Sequence, residues 1–288
     1  MCIRDSGMTN PEYKEIVYEV DDPVAVITLN RPEALNAMTP RMQAEIKHAL
    51  AAAESDKGVV GIVLTGAGRG FCAGMDMNAL DSYEDGKLEQ REDLSVFEAS
   101  PGDKTMGANF MISATYLLSI RKPIVAAING PCAGLGFVYS LFSDIRIVER
   151  TAKFTTAFAA RGLVAEVGIS WMLPRLIGAG NALDLLWTAR KFMGDEAKEL
   201  GIAERLVEQG EARQAAIDYV KNLAATSAPK SIQVMKAQVY RHLNMQLADA
   251  MTETNQWMEE SLVRNDFKEG VRSFIEKRPP DFDRVTVE

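Results

Sequence analysis

The residues best suited to chemistry lie in two glycine-rich turns. The first is Gly66-Ala67-Gly68-Arg69-Gly70-Phe71-Cys72-Ala73-Gly74-Met75-Asp76-Met77, and the second is Asn129-Gly130-Pro131-Cys132-Ala133-Gly134-Leu135-Gly136. Each follows an apolar, β-branched run, Val59–Leu64 and Ile124–Ile128, that reads as a buried strand. Glycine permits unusual φ/ψ and close backbone approach, so two such strand exits can aim two main-chain N–H groups into one cleft. Paired N–H donors of that kind are what an oxyanion hole needs.

Other chemistries find less support. His48 and His242 are the only histidines, and each falls on a predicted amphipathic helix far from both turns. A Ser-His-Asp or Cys-His nucleophile system is therefore disfavoured. No HExxH, Walker A run or metal-ligand cluster is present. Gly66, Gly68 and Gly70 give G-x-G-x-G rather than G-x-G-x-x-G, and Gly130, Gly134 and Gly136 miss that spacing as well, so a dinucleotide fingerprint fits poorly. Cys2, Cys72 and Cys132 are scattered and never form CxxC, which argues against a disulfide framework or zinc site and fits a reducing, cytoplasmic setting.

The elements that must position the turns can be read from the pattern along the chain. The 288 residues are 47% hydrophobic and 25% charged, as in a water-soluble globular protein with ample length for a core. No apolar run approaches the roughly 20 residues of a membrane span. A net charge of -8 argues against broad nucleic-acid binding. Residues 1–7 share no pattern with the chain beyond them and read as a non-native extension, with Met8 as the start. Tyr13–Glu19 and Val24–Leu29 form a predicted hairpin across Asp21-Asp22-Pro23. Thr39 as N-cap with Pro40 after it starts a helix to about Ala53. The acidic stretch from Asp81 to Lys104 reads as a partly helical excursion over the cleft, and a helix is expected from Ala108 to Ile120. Strand–turn–helix alternation argues an α/β body over residues 8–210. Residues 211–288 carry three predicted amphipathic helices, Glu211–Ala225, Pro229–Leu243 and Leu247–Val263, and read as an all-helical oligomerisation domain.

Four ordered motifs closely resemble the crotonase superfamily, the enoyl-CoA hydratase/isomerase group. They are Asn30-Arg31-Pro32-Glu33-Ala34-Leu35-Asn36-Ala37, Gly70-Phe71-Cys72-Ala73-Gly74-Met75-Asp76, Lys122-Pro123-Ile124-Val125-Ala126-Ala127-Ile128-Asn129-Gly130, and Phe274-Ile275-Glu276-Lys277-Arg278-Pro279-Pro280-Asp281-Phe282. The resemblance implies a spiral of ββα units with a C-terminal helical trimerisation domain, assembled as a trimer or a dimer of trimers. It implies coenzyme A thioester substrates, with no cofactor beyond the CoA that the substrate carries, and no nucleic-acid or membrane partner. By position it gives the oxyanion-hole donors to the N–H groups of Met75 and Leu135. Ala73, Gly74, Asp76 and Met77 would line the CoA path, and Gly134, Gly136, Val138 and Phe158 complete the expected substrate-contacting set. Phe274 and Lys277 would approach the adenine end, from a neighbouring subunit in one arrangement.

The departures from the family pattern decide the chemistry. Hydratases of this family resemble one another in two glutamates that hold and activate water; the corresponding positions here are Val138 and Phe158. Neither side chain can accept a proton, which counts against two-carboxylate hydration. One carboxylate remains nearby, Glu166 in Arg161-Gly162-Leu163-Val164-Ala165-Glu166-Val167-Gly168. Its position resembles that of the working aspartate in dienoyl-CoA isomerases, the phenylacetate-catabolic isomerase and chlorobenzoyl-CoA dehalogenases. Its apolar neighbours are expected to desolvate it and make it a better base; the structural alternative is a loop residue paired with Arg161 or Arg175. The favoured reading is a double-bond isomerase with a single carboxylate acid/base. The alternatives are a hydratase or thioester hydrolase using Glu166 to activate water, and a non-catalytic CoA-binding scaffold.

Overall fold

The apolar alternation at the N-terminus closes a hairpin of β1 (Ile16–Asp21) and β2 (Val24–Leu29), paired antiparallel from Ile16↔Leu29 to Asp21↔Val24. The computed structural model of the chain describes residues 11–76 and 92–285. Parallel strands then extend the sheet through β3 (Gly61–Gly66), β4 (Ile124–Ile128), β6 (Ile145–Glu149) and β9 (Arg205–Val207), in the order β1-β2-β3-β4-β6-β9. A smaller sheet of β5 (Cys132–Ala133), β7 (Lys153–Thr155) and β8 (Phe192–Met193) stands at the carboxyl end of β4. Strands β3 and β4 are buried almost throughout, as a parallel sheet covered on both faces requires.

Helix α1 (Pro40–Ser55) starts where capping chemistry places it, for Thr39 Oγ1 accepts the Met42 N–H at 3.0 Å. Its buried stripe of Met42, Ile46, Ala49, Leu50 and Ala53 joins the main core on one sheet face. The opposite face carries Val24, Val26, Val63, Val125 and Ile147, and is covered by Ala212, Ala216 and Val220. Those three lie on Ala212–Thr226, the first helix of the region assigned by sequence to the oligomerisation domain. By packing, that helix is a layer of the α/β body.

The continuous helix expected over 108–120 is broken. A 3-10 turn at Ala108–Phe110 is followed by α2, which spans only Tyr116–Ser119. Ser113 sits at φ 47°, and Thr115 Oγ1 donates back to the Asn109 and Ile112 carbonyls, so the side chain competes with helical pairing. Residues 81–91 of the predicted excursion lie outside the described residues. Its remainder carries a 3-10 turn at Ser95–Phe97, where Phe97 stacks on Tyr13 with centroids 5.9 Å apart.

After β5 come α3 (Gly134–Leu141), α4 (Ile169–Thr188), α5 (Gly194–Leu200) and α6, the helix Ala212–Thr226. The chain ends in α7 (Pro229–His242), α8 (Leu247–Leu262) and α9 (Asn265–Glu276). Helix α9 is one more than the sequence pattern resolved. Among the described residues, no helix is long and apolar enough to cross a membrane.

Candidate active site

Two asparagines hold the first glycine turn from opposite sides. Asn36, fully buried and left-handed at φ 57°, donates through Nδ2 to the carbonyls of Ala67 at 2.9 Å and Gly70 at 2.8 Å. Its Oδ1 accepts the Arg31 N–H at 2.9 Å. Asn129 donates to the carbonyls of Gly66 at 2.9 Å and Gly68 at 3.1 Å. Arg31 pairs with the buried Asp76 at 2.8 Å, tying the Asn30–Ala37 loop to the far end of the turn. Neither asparagine nor Arg31 was singled out by sequence; all three lay within quoted motifs, but the carbonyls that the asparagines bind are 31 or more residues away. Asn36→Ala removes three hydrogen bonds, one buried and two partly buried, strands two carbonyls and an N–H, and places a non-glycine Cβ with no compensating bond at positive φ. The expected loss is about 2–4 kcal/mol of unfolding free energy, read by denaturant titration.

The second turn is laid directly on the first. Cys72 and Cys132 form a parallel bridge; the N–H groups of Phe71 and Cys72 donate to the Pro131 carbonyl at 3.1 and 3.0 Å, and Ala133 N donates to the Cys72 carbonyl at 2.9 Å. Glycine is required at the contact. A Cβ on Gly74, at φ 105°, would lie 3.3 Å from the Ala133 carbonyl oxygen, and one on Gly136 would lie 2.5 Å from the Cys72 Cβ. Both cysteines are fully buried, and burial pushes the Cys72 thiol up to about 12, so neither is a nucleophile.

This contact brings the two expected donors together. Met38 donates to the Gly74 carbonyl at 2.7 Å and Asp76 donates to the Met38 carbonyl at 2.9 Å, a bridge that leaves the Met75 N–H outside the ladder. Leu135 is the second residue of α3, so its N–H belongs to the first turn, which has no carbonyl within the helix to reach. Ala133, the N-cap, supplies no side-chain bond. The two N–H groups leave adjacent backbones, each one residue beyond a glycine that touches the other turn.

Leu135, Val138 and Phe158 are buried in the main core, and Met75 packs against it. Glu166 sits between a 3-10 turn at Ala159–Arg161 and the start of α4, in a loop with Gly162 at φ 70°, Val167 at φ 55° and Gly168 at φ 83°. Glu166 is exposed beside exposed Leu163 and Val164, so the desolvation expected from its apolar neighbours is absent in the single chain. Among the described residues its carboxylate makes no hydrogen bond or ion pair, while Arg175 instead stacks on Trp171 at 3.9 Å. Bracing by Arg161 or Arg175 is therefore not seen. Ala73 is fixed by its N–H to the Leu35 carbonyl at 3.0 Å. Phe274 and Lys277 stand at the C-terminal end of α9, Phe274 highly exposed and Lys277 left-handed at φ 53°. Met77 lies outside the described residues. No metal-ligand cluster occurs among the described residues.

The family described as enoyl-CoA hydratase/isomerase matches residues 19–285. The chain belongs to the enoyl-CoA hydratase/isomerase family. It is 31% identical over 271 residues to the 1,2-epoxyphenylacetyl-CoA isomerase of Escherichia coli strain K12, covering 93% of this chain and 97% of that protein. It is 28% identical over 272 residues to the short-chain-enoyl-CoA hydratase of Clostridium acetobutylicum, at 93% and 97% coverage. The crystal structure of an enoyl-CoA hydratase from Bacillus anthracis superposes with a TM-score of 0.80 at 27% identity, covering 94% of this chain and 99% of that one. The enoyl-CoA hydratase/isomerase fold is thus shared across nearly the whole length, with the α/β body followed by a helical C-terminal region.

Proposed function

We propose that this family member acts on acyl-CoA thioesters as a double-bond isomerase with Glu166 as its single acid/base. What supports the reading is that the two glycine turns carrying the Met75 and Leu135 N–H groups lie against each other, and that Val138 and Phe158, which accept no proton, stand where the resemblance puts the hydratase glutamates. The thioester oxygen accepts from the Met75 and Leu135 N–H groups. Glu166 removes the α-proton of a β,γ-unsaturated acyl group, the electron pair delocalises into a dienolate with charge on that oxygen, and the same proton returns at the γ-carbon. No atom is gained or lost. The relative named as an epoxyphenylacetyl-CoA isomerase supports acyl-CoA isomer chemistry on this scaffold.

A second reading rests on the exposure of Glu166, which gives its carboxylate access to water and would let it activate water for hydration or thioester hydrolysis. Assembly is proposed as a homotrimer or a dimer of trimers, supported by exposed apolar side chains on the C-terminal helices, among them Met235, Val239, Leu247, Met251, Phe267 and Phe274. The test is a turnover screen with short, long, dienoyl and aryl unsaturated acyl-CoAs, resolved by chromatography and mass spectrometry. A product of unchanged mass and altered retention is expected. A mass gain of one water would favour the hydratase reading, and free CoA would favour the hydrolase. Binding of every ligand without any product would favour a non-catalytic scaffold.

A further inference from the structure

The Met75 N–H shares its peptide with the Gly74 carbonyl, and that carbonyl accepts the Met38 N–H at 2.7 Å. The Met38 N–H in turn shares its peptide with the Ala37 carbonyl, which accepts Nη1 of Arg31 at 2.7 Å. In a trans peptide the C=O and N–H point in opposite directions, and among the described residues Asp22-Pro23 is the one cis bond. A chain therefore runs from the guanidinium through the Ala37–Met38 peptide and the Gly74–Met75 peptide to the Met75 N–H.

The cation at its head is fixed in place. The Arg31 N–H donates to Asn36 Oδ1 at 2.9 Å, and the Arg31 carbonyl accepts the N–H groups of Ala34 at 3.0 Å and Asn36 at 2.9 Å. Nη1 also lies 2.8 Å from Oδ2 of the buried Asp76, the residue after the donor, and Nε lies 3.6 Å from Glu15 Oε1. The Asp76 N–H donates to the Met38 carbonyl at 2.9 Å. Nη1 thus reaches both sides of Met75, through Ala37 and Met38 to Gly74, and through the carboxylate to Asp76.

A hydrogen bond to a peptide carbonyl polarises that peptide and strengthens its N–H as a donor, by about 10–30% per bond. This chain begins on a cation, whose hydrogen bonds are about twice as strong as neutral ones. The Leu135 N–H draws on the aligned peptides of α3. We infer that Arg31 is the positioning residue of the Met75 donor, polarising that N–H through the two peptides and holding it toward the thioester oxygen. Asp76 is then the counter-ion that keeps Arg31 on the Ala37 carbonyl. The inference rests on the oxyanion role proposed for Met75 and deepens it by naming what sets the strength of that donor.

The test reads the bound carbonyl directly. Butanoyl-CoA carrying carbon-13 at the thioester carbonyl is measured by isotope-edited infrared difference spectroscopy. The proteins are the wild type, Arg31→Gln and the double variant Arg31→Gln/Asp76→Asn, which removes both charges of the ion pair together. The wild type is expected to lower the carbonyl stretch below that of free butanoyl-CoA. Two links of about 10–30% supply about 20–40% of one donor out of two, so both variants should lose about 10–20% of that downshift. A donor is worth about a hundred- to a thousandfold in kcat. On the substrate found by the turnover screen, kcat should therefore fall about two- to fifteenfold with KM nearly unchanged.

Arg31→Gln should also melt lower, because it takes the ion-pair partner from a buried carboxylate. The double variant should regain melting temperature without regaining the downshift. Downshift and melting temperature moving together across the variants would assign Arg31 a brace and overturn the inference. A full wild-type downshift in Arg31→Gln would overturn it as well, while leaving the oxyanion reading intact. A wild type that binds butanoyl-CoA with no downshift, or fails to bind it, would overturn both.

Discussion

Glu166→Gln is expected to lower kcat by about a hundred- to ten-thousand-fold, the usual worth of general acid–base assistance, with little change in acyl-CoA binding. Glutamine keeps the size and hydrogen-bonding capacity of the side chain and loses only the base. The structure sharpens the stability side of this prediction. Glu166 is exposed and, among the described residues, its carboxylate makes no hydrogen bond or ion pair, so the melting temperature should not move. Turnover and melting measured on one sample separate a proton-transfer role from a brace. A lower melting temperature with intact kcat would indicate bracing.

Leu135→Pro is expected to raise the barrier by about 3 to 4 kcal/mol, the cost of losing one oxyanion-hole donor, which lowers kcat about a hundred- to a thousand-fold. The substitution is structurally mild for a proline. Position 135 is the second residue of α3, where the N–H has no carbonyl to reach within the helix and proline's fixed φ suits the first turn. Two side effects need control. Proline restricts the preceding residue, here Gly134 at φ 47°, and removes the buried leucine side chain. Leu135→Ala retains the N–H and loses the same side chain, so it should keep far more activity than the proline variant. Circular dichroism checks that both are folded. Equal kcat in the two variants would assign the effect to packing rather than to the donor.

Much of the positioning scaffold was legible because it depends on short-range pattern. The hairpin, the Thr39-capped helix and the strands leading into both glycine turns all come from alternation, caps and β-branched runs within a few residues. What escaped was long-range or orientational. Asn36 reaches carbonyls 31 and 34 residues away, and nothing local announces that it spans the turn. An amphipathic stripe shows that a helix buries one face without saying against what, so Ala212–Thr226 read as part of an appendix when it closes the second face of the sheet. The helix expected over 108–120 failed at Ser113 and Thr115, where side-chain bonds to backbone carbonyls compete with helical ones. Glu166 was singled out as the remaining carboxylate at a position resembling the family's working aspartate. Its exposure was not foreseen, because apolar neighbours in sequence do not determine which way a loop with three left-handed residues turns.

The most direct test of the single-carboxylate mechanism is turnover of a β,γ-unsaturated acyl-CoA in oxygen-18 water by the wild type and Glu166→Gln. The acyl product and CoA are measured by mass spectrometry. The wild type should form an isomer with no labelled oxygen in the acyl group, and the glutamine variant should form the same isomer about a hundred- to ten-thousand-fold more slowly. Labelled oxygen in the initial product would place water in the reaction, and equal rates for the two proteins would remove Glu166 from it; either result would contradict the mechanism.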